Sequence, residues 1–334
     1  MKMRVLAGAR TTGALHLGHY HGILKNWVEL QHQYECFFFA ADWHALTTEY
    51  AAPEAIKDHT ISLLLDFLGA GLDPKLCTVF LQSQVPEHAE LHLLLSMITP
   101  LSWLERVPSY KELRTNLVHK HLDTYGFLGY PLLQAADVLA YKADWVPVGQ
   151  DQVPHIELIR EIARHFNHLY CKDSEKPLLP EPQPLLTKVA KMPGLDGRKM
   201  SKSYGNTIPL REDPAITTQK IRTMPTDPAR VRRSDPGDPE KCPVWGLHQV
   251  YASEATKVWV QQGCTTAGIG CLECKQPLIE AVLAEQAVVR ARAEPYAQRP
   301  DLLNDILKEG AQKARSVAAQ TLSEVRAHIG LKIL

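Results

Sequence analysis

Val5-Leu6-Ala7-Gly8-Ala9-Arg10-Thr11-Thr12-Gly13-Ala14-Leu15-His16-Leu17-Gly18-His19 is the stretch on which the fold turns. Its first five residues, Val5–Ala9, form an apolar run with the character of a buried strand. From His19 the apolar spacing predicts a helix to Gln33, passing through Trp27 and Leu30. A strand that leads through Gly8, Gly13 and Gly18 into a helix start makes a phosphate site. Glycine lets backbone approach an anion, and unpaired N–H groups together with the helix dipole favour negative charge there. The imidazoles of His16 and His19 add donors that can follow a phosphate as its charge changes. Past the middle of the chain, Lys199-Met200-Ser201-Lys202-Ser203 sets two ammonium groups three residues apart in a Gly- and Ser-flanked segment that reads as a movable loop.

Outward from the opening strand the alternation continues. Cys36–Ala41 reads as a continuous apolar strand, followed by a helix from Pro53 to about Leu68. Thr78–Gln82 is a short strand and Glu87–Met97 a helix. Tyr130–Tyr141 reads as helix, Trp145–Val148 as strand and Gln152–Phe166 as helix. Such an order implies an α/β fold with a doubly wound parallel sheet covered on both faces. Ligands in these sheets sit at the carboxyl ends of the strands, so the junctions Gly8–Gly18, Ala41–Ala45 and Val148–Gln152 should converge. Four prolines within Pro177–Pro184 mark a linker or surface loop outside the core. Beyond Ser203 the strand pattern fades into helix, with the clearest stripe formed by Ala314, Val317, Ala318, Leu322, Val325 and Ile329. The expected division is residues 1–205 as the sheet domain and 206–334 as a helical domain, with the last helix able to pack back on the first.

Composition describes an ordinary enzyme. The chain has 334 residues, 45% of them hydrophobic, enough for a large core in two domains. Lys+Arg and Asp+Glu both number 37, so contact with nucleic acid must come from local patches. No apolar run approaches the ~18 residues of a membrane span. Met1-Lys2-Met3-Arg4 leads straight into a strand without a cleavable apolar segment, which implies a cytoplasmic protein. Seven cysteines, an odd count, argue against a full disulfide framework.

The two short strings resemble the two signatures of class I aminoacyl-tRNA synthetases. Three further segments narrow the resemblance: Ala41-Asp42-Trp43-His44-Ala45-Leu46-Thr47, Tyr130-Pro131-Leu132-Leu133-Gln134-Ala135-Ala136-Asp137, and Gly149-Gln150-Asp151-Gln152-Val153-Pro154-His155-Ile156-Glu157-Leu158-Ile159-Arg160. Together they are similar to the bacterial tryptophanyl-tRNA synthetase family over nearly the whole chain. The resemblance implies a Rossmann-like catalytic domain, a helical anticodon-binding domain, a symmetric homodimer, and tRNA(Trp) and L-tryptophan as partners. It also implies tryptophan activation by Mg-ATP to an adenylate, followed by transfer to the tRNA. In that reaction the carboxylate is already the nucleophile, so positioning and electrostatics supply the catalysis.

By the same resemblance, His16 and His19 face the phosphates while Lys199 and Lys202 close over pyrophosphate. Backbone around Arg10, Thr11 and Thr12, Gly18–His19, and Gly149, Gln150 and Asp151 holds the nucleotide, with Asp151 a candidate acceptor for ribose. Met192 borders adenine, and Met200, Ser201 and Ser203 complete the lysine loop. Asp137 reads the indole N–H, Tyr130 and Gln152 hold the α-ammonium, and His44 lines the ring. Gln134 replaces a methionine common in bacterial members, and a Gln-x-x-Asp pair keeps tyrosine open as an alternative substrate. The readings from other classes are a nucleotidyltransferase without RNA, and an inactive paralogue that binds RNA.

Cys242, Cys264, Cys271 and Cys274 form C-x21-C-x6-C-x2-C in the helical half. Four thiolates suggest zinc or an iron–sulfur cluster, and spacing does not choose between them. A branch of the resembled family carries similar cysteines around a 4Fe–4S cluster, which implies that group here. Cys36, Cys77 and Cys171 read as small apolar residues. Just upstream, Arg230-Val231-Arg232-Arg233, with Lys220 and Arg222, reads as a phosphate-backbone contact.

Overall fold

A computed structural model describes residues 2–116, 120–172, 174–186 and 192–331. Five parallel strands make one sheet: β1 (Arg4–Arg10), β2 (Glu35–Ala41), β3 (Thr78–Leu81), β4 (Trp145–Val148) and β5 (Gln183–Leu186), in the order β3-β2-β1-β4-β5. β1 and β2 pair along their full length, from Arg4 against Glu35 to Arg10 against Ala41. The order reverses between β1 and β4, where the paired register is Val5 opposite Trp145. Beyond that point Pro147 offers no N–H to a neighbour, and the two strands part. A crevice at the carboxyl end of a sheet's switch point is where ligands bind in open α/β folds.

The run Cys36-Phe37-Phe38-Phe39-Ala40-Ala41 is apolar throughout because both faces of β2 are buried. Cys36, Phe38 and Ala40 face one core, where Phe38 stacks on Trp27 at 4.8 Å. Phe37 and Phe39 face the other, against Tyr141 and Phe80 respectively. Each such ring contributes about 2–3 kcal/mol by leaving water. The helix Pro300–His328 buries Ala314, Ala318, Leu322 and Val325 in the second core and lies along β3. Gly310 makes this possible, since a Cβ there would collide with the Val79 carbonyl.

Two readings of the sequence need correction. Pro177–Pro184 is not simply a surface linker. Leu179 is fully buried, and Gln183–Leu186 is the edge strand β5, with Pro184 opposite Val146. An edge strand tolerates proline because its outer side needs no donor. The segment His19–Gln33 is not one regular helix either. It consists of the α-helical turn Leu17–His19, a π-helical segment Tyr20–Leu24 and the α-helix Lys25–Leu30. Among the described residues no helix is long and apolar enough to cross a membrane.

Candidate active site

The parting of β1 and β4 opens a cavity of about 300 Å³, with Gly8 and Phe39 on its floor and Val146 and Gln152 on the β4 side. Gly8 is required at the floor, because a Cβ would lie 2.5 Å from the Phe39 ring. The helix Tyr130–Ala140 forms another wall and presents Tyr130, Gln134 and Asp137, at successive turns, to the cavity. Its first turn is set by Pro131, whose missing N–H costs nothing there.

Asp137 is 1% exposed, yet it is fully engaged. His44 Nε2 donates to Oδ2 at 2.7 Å, while Gln82 Nε2 and His88 Nδ1 donate to Oδ1 at 2.8 and 2.6 Å. His88 is fixed from behind by the Tyr141 hydroxyl, 2.7 Å from Nε2. Burial alone would raise the carboxyl, but His44 and His88 hold it well below the usual carboxylate range. A carboxylate has about four acceptor sites. Three are occupied by protein, which leaves one on Oδ2. At the start of the same helix Ser109 Oγ joins the Tyr130 hydroxyl at 2.8 Å to His155 Nε2 at 2.5 Å. Burial first, then the charge of His44, pushes His155 down to about 4, so it is neutral at pH 7.

The two signature segments lie against each other at the strand ends. Lys202 Nζ donates to the Gly13 carbonyl at 2.9 Å and to the Thr12 carbonyl at 3.3 Å. Gly13 adopts φ +113°, a conformation that suits glycine. Gly18 admits the His16 ring, which a Cβ would approach to 2.9 Å. The His16 and His19 rings lie 3.8 Å apart. Burial, followed by the neighbouring Lys202 and Lys199, pushes His16 down to about 4. Burial, then His16 and both lysines, pushes His19 down to about 3. Both are therefore neutral donors at pH 7. His16 N donates to His19 Nδ1 at 3.3 Å, which leaves the His19 proton on Nε2.

Asp66, 1% exposed, anchors the first segment to Arg211, downstream of the lysine loop: it accepts from Leu15 N at 2.9 Å and from Arg211 Nε at 2.6 Å. Asn206 braces the lysine loop, accepting from Ser201 N at 2.8 Å and donating to the Lys199 carbonyl at 3.2 Å. Met192 and Met200 are buried, joined by Met200 N to the Met192 carbonyl at 2.9 Å, whereas Lys199 and Ser203 are exposed. At the end of β4, Gly149 turns into the 3-10 segment Gln150–Gln152, where Asp151 accepts from Gln152 Nε2 at 2.9 Å. Thr11 is fully buried and its hydroxyl finds no partner among the described residues.

This chain belongs to the class I aminoacyl-tRNA synthetase family.

The family model described as class I tRNA synthetases (W and Y) matches residues 1–285. A tryptophan–tRNA ligase of Ralstonia nicotianae is 52% identical, with 98% of each chain covered. One from Thermotoga maritima is 53% identical over 98% of this chain and 99% of its own. A crystal structure of tryptophanyl-tRNA synthetase from Campylobacter jejuni, complexed with ADP and tryptophan, superposes with a TM-score of 0.89. It is 34% identical and covers 98% of this chain and all of that one.

Gln82, His88, Tyr141, Ser109 and His155 have no place in the sequence reading of the site. Two signals were present: Gln82 follows β3 at its carboxyl end, where such sites gather, and His155 stands in the Gly149–Arg160 motif. The cysteines are free, and Cys36, Cys77 and Cys171 are buried. Burial pushes the Cys274 thiol up to about 12, and nearby Cys242, Cys264 and Cys271 add to that shift. Among the described residues, however, no three Cys, His, Asp or Glu side chains lie close enough to hold a metal as placed. Arg230 is not part of a surface patch. It is 9% exposed, donates to the Ile269 and Arg233 carbonyls at 2.6 and 3.0 Å, and lies 3.9 Å from Cys264 Sγ. Lys220 and Arg233 pair with Glu212 and Glu273, which leaves Arg222 and Arg232 facing outward.

Proposed function

We infer that the chain is a tryptophan–tRNA ligase, activating L-tryptophan with ATP and transferring it to tRNA(Trp) with release of AMP and pyrophosphate. The observation that carries the amino-acid assignment is Asp137, an anion at the cavity wall with one acceptor site left open. An indole N–H fills that site, and a side chain without a donor would leave it unpaired, which is strongly disfavoured in a buried site. Tyr130 and Gln152 hold the α-ammonium, Gln134 and His44 border the ring, and the Gly8–Phe39 floor carries its face.

Adenylation needs no general base. A carboxylate oxygen bonds to the α-phosphorus as the bond to pyrophosphate breaks, and the electron pair leaves with pyrophosphate. Neutral His16 and His19 donate to the phosphates, while backbone at Arg10–Thr12, Gly18 and Gly149–Asp151 holds the nucleotide. Met192, Met200, Ser201 and Ser203 shape the loop that carries Lys199 and Lys202. In this resting arrangement Lys202 occupies carbonyl acceptors, and it moves from them to pyrophosphate as charge develops. Mg2+ accompanies ATP as part of the substrate.

Residues 1–205 carry this chemistry and residues 206–334 read the tRNA in the cytoplasm, as one half of a homodimer. Cys242, Cys264, Cys271 and Cys274 would hold a 4Fe–4S cluster, with zinc as the alternative, once their side chains turn toward one another. The all-thiol donor set and the nearby Arg230 suit an anionic thiolate centre, and the cluster would tie together the ends of three consecutive helices. Tryptophan-dependent exchange of pyrophosphate into ATP, followed by charging of tRNA, tests the enzyme. Exchange driven better by tyrosine, or none with either amino acid, overturns the assignment. Anaerobically purified protein should be brown and contain iron and sulfide, with the colour lost in Cys271→Ser. Stoichiometric zinc without iron would replace the cluster by a structural four-thiolate site.

A further inference from the structure

We propose that the Arg10 guanidinium clamps the substrate α-carboxylate where it meets the α-phosphate, an inference that rests on the cavity holding tryptophan. Arg10 closes β1 and its side chain lines the cavity, where it is the one Lys or Arg among the described residues. Its backbone carbonyl accepts from Thr12 N at 2.9 Å, closing a tight turn. Lys202 sits on the Thr12 and Gly13 carbonyls of that same turn. Arg10 therefore stands at the join between the amino-acid cavity and the nucleotide loops, the place where the two reacting groups must come together.

Among the described residues its charge has no direct counterion. Nη2 donates to Thr48 Oγ1, which in turn lies 3.0 Å from Glu49 Oε1. Glu49 is itself claimed by Lys120 at 2.6 and 2.7 Å. Arg10 Nε is buried with no partner among the described residues. A partly buried cation with an idle, buried donor is costly unless an anion arrives to meet it. Burial lowers the guanidinium from its usual range, with Glu49 and Tyr130 opposing, and burial lowers Lys202 too, with Asp66 opposing and Arg10 adding to it. The planar fork suits a carboxylate, and its charge offsets the repulsion between that carboxylate and the triphosphate. Arg10 moves no proton. The bond from the carboxylate oxygen to phosphorus forms, and the bond to pyrophosphate breaks, with the guanidinium holding the attacking group in place.

Tryptamine, which lacks the carboxylate, separates this role from a merely structural one. In Arg10→Leu, tryptophan affinity measured by calorimetry should fall by about 30-fold or more, while tryptamine affinity stays within about threefold. Arg10→Lys keeps the charge without the fork and should lose tryptophan affinity by an intermediate factor, again sparing tryptamine. It carries the test should the leucine variant not fold. Equal losses for both ligands, or no loss for tryptophan, overturn the proposal. Wild-type protein that binds no tryptophan would instead break the reading of the cavity, and this inference with it.

Discussion

The amino-acid cavity and the nucleotide loops are built on opposite plans. Around Asp137 the polar groups are fixed before any ligand arrives: two histidines, a glutamine and, behind His88, a tyrosine hold the carboxylate and leave one acceptor site for the ligand. At the loops the arrangement is provisional. Lys202 rests on backbone carbonyls, His16 Nδ1 is buried without a partner among the described residues, and Lys199 is exposed. The difference teaches where each kind of energy is used. Recognition gains from groups that cannot relax around the wrong ligand, whereas rate gains only from contacts that strengthen in the transition state.

The sharpest way to break the rigid half is Asp137→Asn. An amide in place of the carboxylate sets a donor against His44, His88 and the indole alike. Preference for tryptophan over phenylalanine in competitive adenylation should drop by at least about a hundred-fold, out of a range that can reach ~10⁴. Unchanged selectivity would show that the carboxylate does not read the indole. The provisional half is probed by Lys202→Ala, which should slow adenylate formation about a hundred-fold with tryptophan affinity nearly intact. If the single-turnover rate constant stays the same, the lysine is not used in the transition state.

The smallest effect concerns pH. His16, His19 and His155 are depressed below their usual value of 6.5, to about 4, 3 and 4. Between pH 6.5 and about 4 the unfolded chain therefore binds more protons than the folded one. Stability is complete above that window and declines as pH falls through it. Urea midpoints should show this slope, and His155→Gln should reduce it by up to about one proton. A slope untouched by the substitution would place the proton uptake elsewhere.

What the sequence disclosed follows the same division. Strands buried on both faces announce themselves, and the triple phenylalanine of β2 could be little else. Asp137 was legible through the resemblance carried by the segment Tyr130–Asp137. Its companions were not, since Gln82 and His88 come from separate elements and meet only at the carboxylate, with Tyr141 behind His88. β5 was hidden because Pro184 reads as a breaker, and only its edge position, a property of the whole sheet, makes it tolerable. The Arg10 side chain was masked by its motif, where backbone approach to phosphate was the conspicuous feature. The π-helical segment at Tyr20–Leu24 has no periodic trace that a helix of ordinary pitch lacks.

The contact of Gly310 with Val79 has a consequence for how the chain is made. β3 is one rim of the sheet, and an uncovered rim is a template for pairing with another molecule. Here it is sheltered by the helix Pro300–His328, which leaves the ribosome more than two hundred residues after β3 itself. At roughly 5–20 residues per second the rim stays bare for some tens of seconds in every newborn copy. Any side chain at position 310 would prolong that interval by pushing the helix away. Its first symptom would be aggregation during synthesis, even where copies that do mature remain active.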